Sequence, residues 1–386
     1  MIGSAAVQDA AAVDPRPPAE AVPAHASFLA AARFPSLDGL RCLAVVPVIW
    51  HHATPRPLPG ILGRGPLGVD LFFAISGFLI TTLLLRERRA TGRVSLARFY
   101  ARRSLRIFPL YYAVLAIYAL RAWLLLGPSP MRDHFLASLP YYATYSANWL
   151  VDFDAPHPVI FAFAWSLATE EQFYLLWPPL IRATRGRILP AAAMIAAIAV
   201  DLAAERGALA AALPAGTLAL RMVTSFAAPI GLGALLALAL DHGPSFAASA
   251  HVIGRRASAP VALATITALV AWEGAPLFAV HAAMAALVGA CAIRPDHGLA
   301  RTLDAAPLRH VGAVSYGVYL VHVSMITAAK AVVPASAGTL PVFLAATAAS
   351  IGVATVSFRY FETPLLALRD RLRPRSVAPQ ERPRSG

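Results

Sequence analysis

The sequence predicts an all-α fold, a polytopic membrane helical bundle of about ten transmembrane helices. Of its 386 residues, 58% are hydrophobic and only 14% are charged, whereas a soluble domain carries about 25% charged residues. The apolar residues are also gathered in runs long enough to cross a bilayer as helices. These observations exclude a soluble globular protein and predict an integral membrane protein.

Ten apolar runs have the length of a transmembrane helix. Because an α-helix rises about 1.5 Å per residue, a run of roughly 17–25 residues crosses the hydrocarbon layer. The predicted spans are residues 38–54, 66–85, 108–127, 162–181, 188–204, 219–240, 258–273, 276–293, 311–332 and 339–360. Segment 134–150 is shorter and more polar, which predicts a re-entrant or interfacial segment.

The arginines predict the orientation of these spans. The net charge of +13 comes almost entirely from arginine, because Lys330 is the only lysine. Arginines crowd the connection between the second and third spans, where Glu87 is the only acidic residue. The positive-inside rule places such a connection, and therefore both termini, in the cytoplasm. The positive charge thus indicates membrane topology and lipid contacts, and no nucleic-acid partner is predicted.

The sequence outside the spans predicts two tails. Residues 1–33 are rich in alanine and proline without an apolar core, which predicts a disordered cytoplasmic tail rather than a signal peptide. The membrane domain is predicted at 34–365 and a basic cytoplasmic tail at 366–386. Cys42 and Cys291 lie in spans far apart in the sequence, so we expect neither a disulfide framework nor a thiolate metal site.

The first span carries a cation and an imidazole on one face. Arg41 and His52 are almost three helical turns apart, so their side chains share a stripe roughly 16 Å long. Charged groups at such depth usually face a bundle interior or a watery cavity. The alternative is that Arg41 lies at the headgroup level and His52 is a satisfied polar residue near the far end.

The connection 95–107 predicts a basic amphipathic cytoplasmic helix between spans two and three. Arg98, Arg102 and Arg106 recur every four residues and form one stripe. Guanidinium groups match phosphate oxygens, so this stripe is a candidate cradle for a phosphate-bearing ligand. The alternative is a helix that lies on the membrane surface. Pro109 is expected in the first turn of the next span, where a missing N–H costs least.

The fourth and ninth spans also carry polar groups. Glu170 and Glu171 lie about a third of the way into the fourth span, where carboxylates are expensive. Adjacent helical residues point about 100° apart, so at most one of them is expected to face a given cavity squarely. The alternative is that one of them pairs with an arginine. His322, in the ninth span, has a hydrogen-bonded core histidine as its alternative interpretation.

The depths of His52, Glu171 and His322 converge near the mid-plane or slightly outward, which predicts one common cavity. A histidine with a carboxylate can act as a general base on a hydroxyl. With the arginine-rich mouth below it, this arrangement is typical of a transferase whose donor enters from the cytoplasm. The alternatives are a proton-coupled transporter or exporter that uses the buried Arg, His and Glu as a relay, and a membrane scaffold. The chain shows no repeated halves, which argues against the transporter.

Six motifs resemble, in order, those of the integral-membrane acyltransferase family 3, whose members O-acylate sugars, polysaccharides and macrolide-type antibiotics. They are LDGLR…HH (37–41, 51–52), GVDLFFAISGFLIT (68–81), FYARRSLRIFPLYY (99–112), WSLATEEQFYLLWP (165–178), SYGVYLVH (315–322) and RYFETP (359–364). The resemblance covers residues 35–365. It implies ten core helices, a cytoplasmic acyl-coenzyme A donor and transfer to an acceptor hydroxyl.

The resemblance implies that Arg41 and His52 are essential and that an arginine cluster serves the donor; that cluster comprises Arg102, Arg103 and Arg106. Glu171 matches the acidic position of the family's fourth motif. We expect His52 to be the general base, with Glu171 orienting it and Arg41 holding the site or the donor. A variant is that His52 carries the acyl group covalently.

The remaining expectations concern the acceptor and the cell. Asp70, Trp165 and His322 are candidates for binding a carbohydrate-type acceptor, and acetyl-CoA is the expected donor without a metal. The protein is expected in the bacterial cytoplasmic (inner) membrane, in contact with lipids. Some members carry an extracytoplasmic hydrolase-like domain. None is seen in this sequence, so we expect direct acylation of the acceptor or a separate partner.

Overall fold

The computed structural model describes residues 21–54, 58–214 and 216–370, and in these ranges the chain forms helices and turns without a strand. In chain order the helices are α1 (Ala21–Ala30), α2 (Pro35–Ala53), α3 (Leu67–Thr91), α4 (Leu96–Leu125), α5 (Pro130–Ala143), α6 (Ala147–Leu150), α7 (Ala164–Ala183), α8 (Ile188–Glu205), α9 (Leu218–Thr224), α10 (Ala228–Leu240), α11 (Gly243–Ile253), α12 (Ser258–Ala271), α13 (Leu277–Ile293), α14 (Ala300–Leu303), α15 (Ala306–Ala313), α16 (Ser315–Val332), α17 (Thr339–Ser357) and α18 (Thr363–Asp370). Short 3-10 turns lie at Gly60–Gly63 and Ala335–Ala337, and a π-helical turn at Phe358–Glu362 joins α17 to α18.

The described helices include several that can cross a membrane. Four units are long and apolar enough on their own: α3, α4, α8 and the continuous stretch Thr339–Ala367. Two bent pairs add up to two more spans, α9 with α10 at 44° and α15 with α16 at 76°. The all-helical class is therefore confirmed, while the count of ten spans stays a prediction. Segment 134–150 falls on α5 and α6.

Contacts between helix ends show that α3 and α7 run in one direction and α12 in the opposite one. We call the end where α3 stops and α4 starts the basic end, and the other the distal end. At the basic end, Arg88 of α3 donates to the Thr184 carbonyl after α7 at 3.0 Å. At the distal end, Arg64 before α3 donates to the Glu273 carbonyl after α12 at 3.1 Å. These directions agree with the predicted order of spans.

Small residues bring α3 and α10 into backbone contact. A Cβ atom on Gly77 would lie 1.9 Å from the Ile230 carbonyl oxygen, and one on Gly233 would lie 2.1 Å from that of Ala74. Any larger side chain at either glycine would force these helices apart. Within its apolar window, α3 is 67% buried, against 22% for the stretch that includes α17. Therefore α3 lies near the centre of the bundle and α17 at its edge.

The basic segment predicted between spans two and three is helical, but it is not a helix separate from the third span. The basic segment is the first part of α4, which continues unbroken through Pro109 to Leu125. Ser95 caps its start by accepting a hydrogen bond from the backbone N–H of Arg98. Pro109 therefore lies inside a helix rather than in a first turn. The acidic partners of these arginines belong to neighbouring helices of the bundle, so the ion pairs hold the basic segment against the bundle.

The predicted N-terminal tail was too long. Residues 21–30 form α1, and Phe28 is buried there beside the rings of Phe34 and Phe246. Arg86 of α3 donates to the Phe28 carbonyl at 2.9 Å and also bonds the Ala31 carbonyl, which satisfies the C-terminal end of α1. Residues 1–20 and 371–386, where the rest of both predicted tails falls, lie outside the described residues.

Candidate active site

A cavity at the basic end is lined by arginines. It measures about 410 Å³ and we call it the basic cavity. Its charged lining residues are Arg33, Asp38, Arg41, Arg86, Arg103, Arg106 and Glu362. Arg41 donates to Asp38 at 2.8 Å. Five guanidinium groups against two carboxylates give this cavity an excess of positive charge, which favours an anionic ligand.

A second, smaller cavity of about 90 Å³ lies deeper in the bundle, and we call it the central cavity. It adjoins the basic cavity, since the two share the lining residues Arg41, Ser76, Arg103, Arg106 and Tyr316. Glu170, Glu171 and Tyr319 complete its polar wall. An anion in the basic cavity therefore has a narrow polar extension in front of it.

The two adjacent carboxylates both line the central cavity but differ in their bonding. Glu170 accepts hydrogen bonds from Ser76 and Tyr174 and lies 3.9 Å from Arg103, as the ion-pair alternative predicted. Among the described residues, no hydrogen bond reaches Glu171, although Arg103 also acts on it electrostatically. Glu170 therefore holds the cavity wall together, and Glu171 is the carboxylate left for a ligand.

Two of the three arginines expected at the donor line these cavities. Arg103 places its guanidinium 4.0 Å from the centre of the Tyr174 ring, and Arg106 lines both cavities. Arg102 is among the described lining of neither cavity and instead forms an ion pair with Glu87 at 3.1 Å. The three do not line one cavity because neighbouring helical residues point in different directions. The structure therefore does not bring Arg102 together with Arg103 and Arg106, and its role at the donor stays a prediction.

His52 lies at the other side of the bundle, in a cavity of about 340 Å³ that we call the distal cavity. The wall is mostly apolar and includes Phe161 and Phe163, with Arg121 as its charged residue. The Nδ1 atom of His52 lies 2.9 Å from the Val48 carbonyl oxygen. That carbonyl can only accept, so Nδ1 carries the proton and Nε2 keeps its lone pair.

His322 is the side-chain partner of His52. Its Nε2 atom lies 3.3 Å from Nδ1 of His52, and its own Nδ1 lies 2.5 Å from the Tyr319 carbonyl. Both contacts fit one arrangement, in which Nδ1 of His322 is protonated and its Nε2 accepts from His52. His322 is completely buried. The alternative of a hydrogen-bonded core histidine describes it better than direct contact with an acceptor.

A layer of side chains separates the central and distal cavities. The Tyr319 hydroxyl donates to the Phe163 carbonyl at 2.9 Å and lies 2.7 Å from the hydroxyl of Ser166. Tyr319 faces the central cavity and Phe163 the distal one. The prediction that His52 and Glu171 share one cavity was therefore wrong. The prediction was based on depth along each helix, and depth does not determine which neighbouring helix a residue faces.

Asp70 and Trp165 lie in yet another cavity at the distal end, of about 330 Å³, which we call the lateral cavity. The third acceptor candidate, His322, is not among its described lining. Asp70 pairs there with His281 at 3.0 Å, a residue that the sequence reasoning missed. Its signal was present in the sequence, because His281 is the only polar side chain in the apolar helix α13.

Comparison with known proteins identifies the family. The model of acyltransferase family 3, described as an acyltransferase domain, matches residues 34–359. The chain belongs to this family. The resemblance seen in the six motifs is thus confirmed over most of the chain.

Relatives within the family include O-acetyltransferases. The peptidoglycan O-acetyltransferase OatA of Listeria monocytogenes is 27% identical over 362 residues, which cover 86% of this chain and 55% of that protein. The O-acetyltransferase OatA of Staphylococcus aureus is 28% identical over 357 residues, or 86% and 57% of the two chains. A putative O-acetyltransferase of S. aureus is 38% identical over 153 residues, or 38% and 24%. The chain thus spans little more than half the length of the first two, and no solved structure matches it.

Proposed function

We propose that this protein is a membrane O-acyltransferase that moves an acetyl group from acetyl-CoA to a hydroxyl of a carbohydrate acceptor. The observation that carries the proposal is the order of the three cavities. An arginine-lined cavity leads into a narrow central one, and His52 lies beyond the next layer of side chains. Family membership supports acyl transfer, and the relatives' names support an acetyl group and a peptidoglycan-type acceptor.

The basic cavity suits coenzyme A, which carries several phosphate groups. Arginine binds phosphate oxygens through two parallel N–H bonds, and five arginines line this cavity. By the positive-inside rule this end faces the cytoplasm, where acyl-CoA is made. The adjoining central cavity would receive the thioester. At about 90 Å³ it is much smaller than the basic and distal cavities, of about 410 and 340 Å³, which favours a short acyl group such as acetyl.

The distal cavity suits the acceptor. Nε2 of His52 has its lone pair free there, so it can take the proton of a hydroxyl as the oxygen attacks the thioester carbonyl. The C–O bond forms, the C–S bond breaks, and the proton leaves with the coenzyme A thiol. Arg41 and Arg103, in the central cavity, are placed to stabilise negative charge on the carbonyl oxygen. Glu171 is assigned to this donor side, not to the orientation of His52. The Tyr319–Phe163 layer must open for the two reactants to meet.

The test is acetyl transfer by purified protein in vesicles. Labelled acetyl-CoA is added alone and then with candidate glycans, and coenzyme A release and label transfer are measured. We expect wild type to be active and His52→Ala to be inactive. His51→Ala is the matched control, because the neighbouring imidazole is also exposed but is not among the described lining of the distal cavity.

Two results would contradict this function. Transfer by folded His52→Ala protein at the wild-type rate would remove the histidine from the mechanism. Proton-coupled flux in vesicles without any acyl donor, together with no coenzyme A release, would favour a transporter instead.

A further inference from the structure

The lateral cavity has a lining that neither the donor nor the reacting hydroxyl explains. It lies at the distal end between α3, α7, α8, α9 and α13, and at about 330 Å³ it falls within the ~300–1,000 Å³ typical of small-molecule sites. With the central cavity it shares only Phe73. Loop 153–163 contributes to both the lateral and the distal cavity, since Phe153 lines the first and 158–163 line the second.

Two buried hydrogen-bond acceptors in this lining have no donor. Asp201 is 3% exposed, and its Oδ1 atom has no hydrogen-bond partner among the described residues. His281 is 6% exposed, and its Nε2 lies 3.0 Å from Asp70. In the neutral imidazole, the carboxylate fixes the ring proton on Nε2 and leaves Nδ1 as an acceptor, and Nδ1 too has no partner among the described residues. A ligand that brings hydrogen-bond donors can satisfy both acceptors.

The charges of the lining narrow the class of ligand. Asp70, Asp201 and Glu205 supply three carboxylates, against Arg221 as the only arginine or lysine in the described lining. This balance disfavours phosphates and other anions. It favours a ligand with several hydroxyl or N–H donors.

Aromatic rings supply the other half of the site. Trp165, Phe153 and Phe278 line the cavity, and Trp165 is 39% exposed although it contacts Phe73 edge-to-face. An exposed ring beside carboxylates can pack on the C–H face of a sugar while its hydroxyls bond the acceptors. A lipid chain would leave the buried carboxylate and imidazole without donors, which is unfavourable.

We propose that the lateral cavity is a saccharide-binding subsite, which holds a sugar ring of the acceptor other than the one that is acetylated. The class of acceptor rests on the proposed function, but sugar binding here does not require transfer. A glycan lying across loop 153–163 would place one ring in each cavity. The subsite would then select glycan chains over single sugars.

The test measures equilibrium binding of neutral oligosaccharides without any acyl donor. The probes are N-acetylglucosamine and its β-1,4-linked tetramer. Cellotetraose and maltotetraose serve as further neutral chains. We expect one of the tetramers to bind wild-type protein more tightly than its monomer. Asp201→Asn replaces a carboxylate oxygen, which accepts hydrogen bonds, with an amide NH₂ group, which donates them and so cannot accept from a sugar hydroxyl. We expect the affinity for the tetramer to fall about tenfold or more. Trp165→Ala should also weaken binding, through loss of the stacking ring.

The controls separate this proposal from the proposed function. Trp272→Ala removes another exposed tryptophan at the distal end that is not in the described lining of the lateral cavity, so binding should not change. Because the binding test contains no acyl donor, tetramer binding can be kept or lost independently of acetyl transfer. Size-exclusion profiles establish that each variant is folded, and the isosteric Asp201→Asn keeps the test decisive if Trp165→Ala is unstable.

Two outcomes would overturn the subsite. One is that no tetramer binds at millimolar concentration, or that a tetramer binds both variants as tightly as wild type. The other is that ethylammonium binds with dependence on Asp201 while neutral sugars do not, which would make the cavity a cation site.

Discussion

The basic and distal cavities have opposite character. Five arginines and two carboxylates line the first, whereas the described lining of the second has one arginine, no carboxylate and a single imidazole, that of His52. Fixed charges at one end suit an anionic ligand, whereas apolar walls at the other end suit a histidine that acts on a neutral hydroxyl. Under the proposed function, the difference therefore assigns binding of the donor and activation of the acceptor to separate ends of the bundle.

Removing a cation from the donor side should have the largest effect. Arg103→Ala deletes the guanidinium that lies beside Glu170 and over Tyr174. We expect kcat/KM for acetyl-CoA to fall about 10²–10³-fold, as for loss of one electrostatic stabiliser of a transition state. Steady-state coenzyme A release measures this.

Arg102→Ala is the matched variant for that experiment. It removes the neighbouring arginine, whose partner Glu87 keeps a second ion pair with Arg98 at 3.2 Å. Its KM for acetyl-CoA should stay near wild type. An equal fall in kcat/KM for acetyl-CoA in Arg102→Ala and Arg103→Ala would contradict the assignment of Arg103 to the cavity and of Arg102 to a structural ion pair.

On the distal side, His322 should act through His52. His322→Leu removes one of the two acceptors near the His52 Nδ1 proton, the other being the Val48 carbonyl, and we expect kcat to fall about 10-fold, the lower end of the effect of partners that orient a functional histidine. The KM for acetyl-CoA should not change, since His322 lies away from the basic cavity. Initial rates at varied acetyl-CoA measure both.

The conservative variant distinguishes positioning from packing. His322→Gln keeps an oxygen that can accept from His52, so it should recover part of the lost kcat. If leucine and glutamine were equally inactive and unstable, the role of His322 would be packing alone. A raised KM for acetyl-CoA would place it with the donor.

The last expected effect concerns selection of the acyl group by its length in the central cavity. Ile107→Ala enlarges its wall, so the preference for acetyl-CoA over butyryl-CoA should shrink about tenfold, since a methylene in an apolar pocket changes discrimination by ~1–3 kcal/mol. Leu115→Ala, a similarly buried site on the same helix outside the described cavity lining, is the control. Competition between the two donors measures the ratio, and an unchanged ratio in Ile107→Ala would exclude such selection.

Much of the fold was predictable because bilayer length and apolar runs leave few alternatives. Each predicted span falls on a helix or on a bent pair of helices. The shared face of Arg41 and His52 was predictable from helical period, and both line cavities. The sequence could not show which helices lie next to each other in the bundle. Periodicity states the depth of Glu171 but not that the Tyr319–Phe163 layer separates it from His52.

Two local errors have the same cause. Pro109 was expected in the first turn of a helix because a proline lacks an N–H. In the structure α4 continues on both sides of Pro109, because the basic segment before it contacts the rest of the bundle. Phe28 lies in an alanine- and proline-rich stretch that predicts disorder, but Arg86 and two aromatic rings fix it in place. In both cases tertiary partners outweighed local propensity.

The unbroken course of α4 also has a thermodynamic consequence. One helix of 30 residues carries Arg103 and Arg106 at the basic cavity and Tyr118 and Arg121 at the distal one. Under the proposed function, a displacement of this helix on donor binding would reach the wall of the acceptor's cavity without crossing a loop. Linkage is reciprocal: if the bound donor changes the acceptor's affinity by some factor, the bound acceptor changes the donor's affinity by the same factor. A single helix can thus couple the occupancy of the basic and distal cavities.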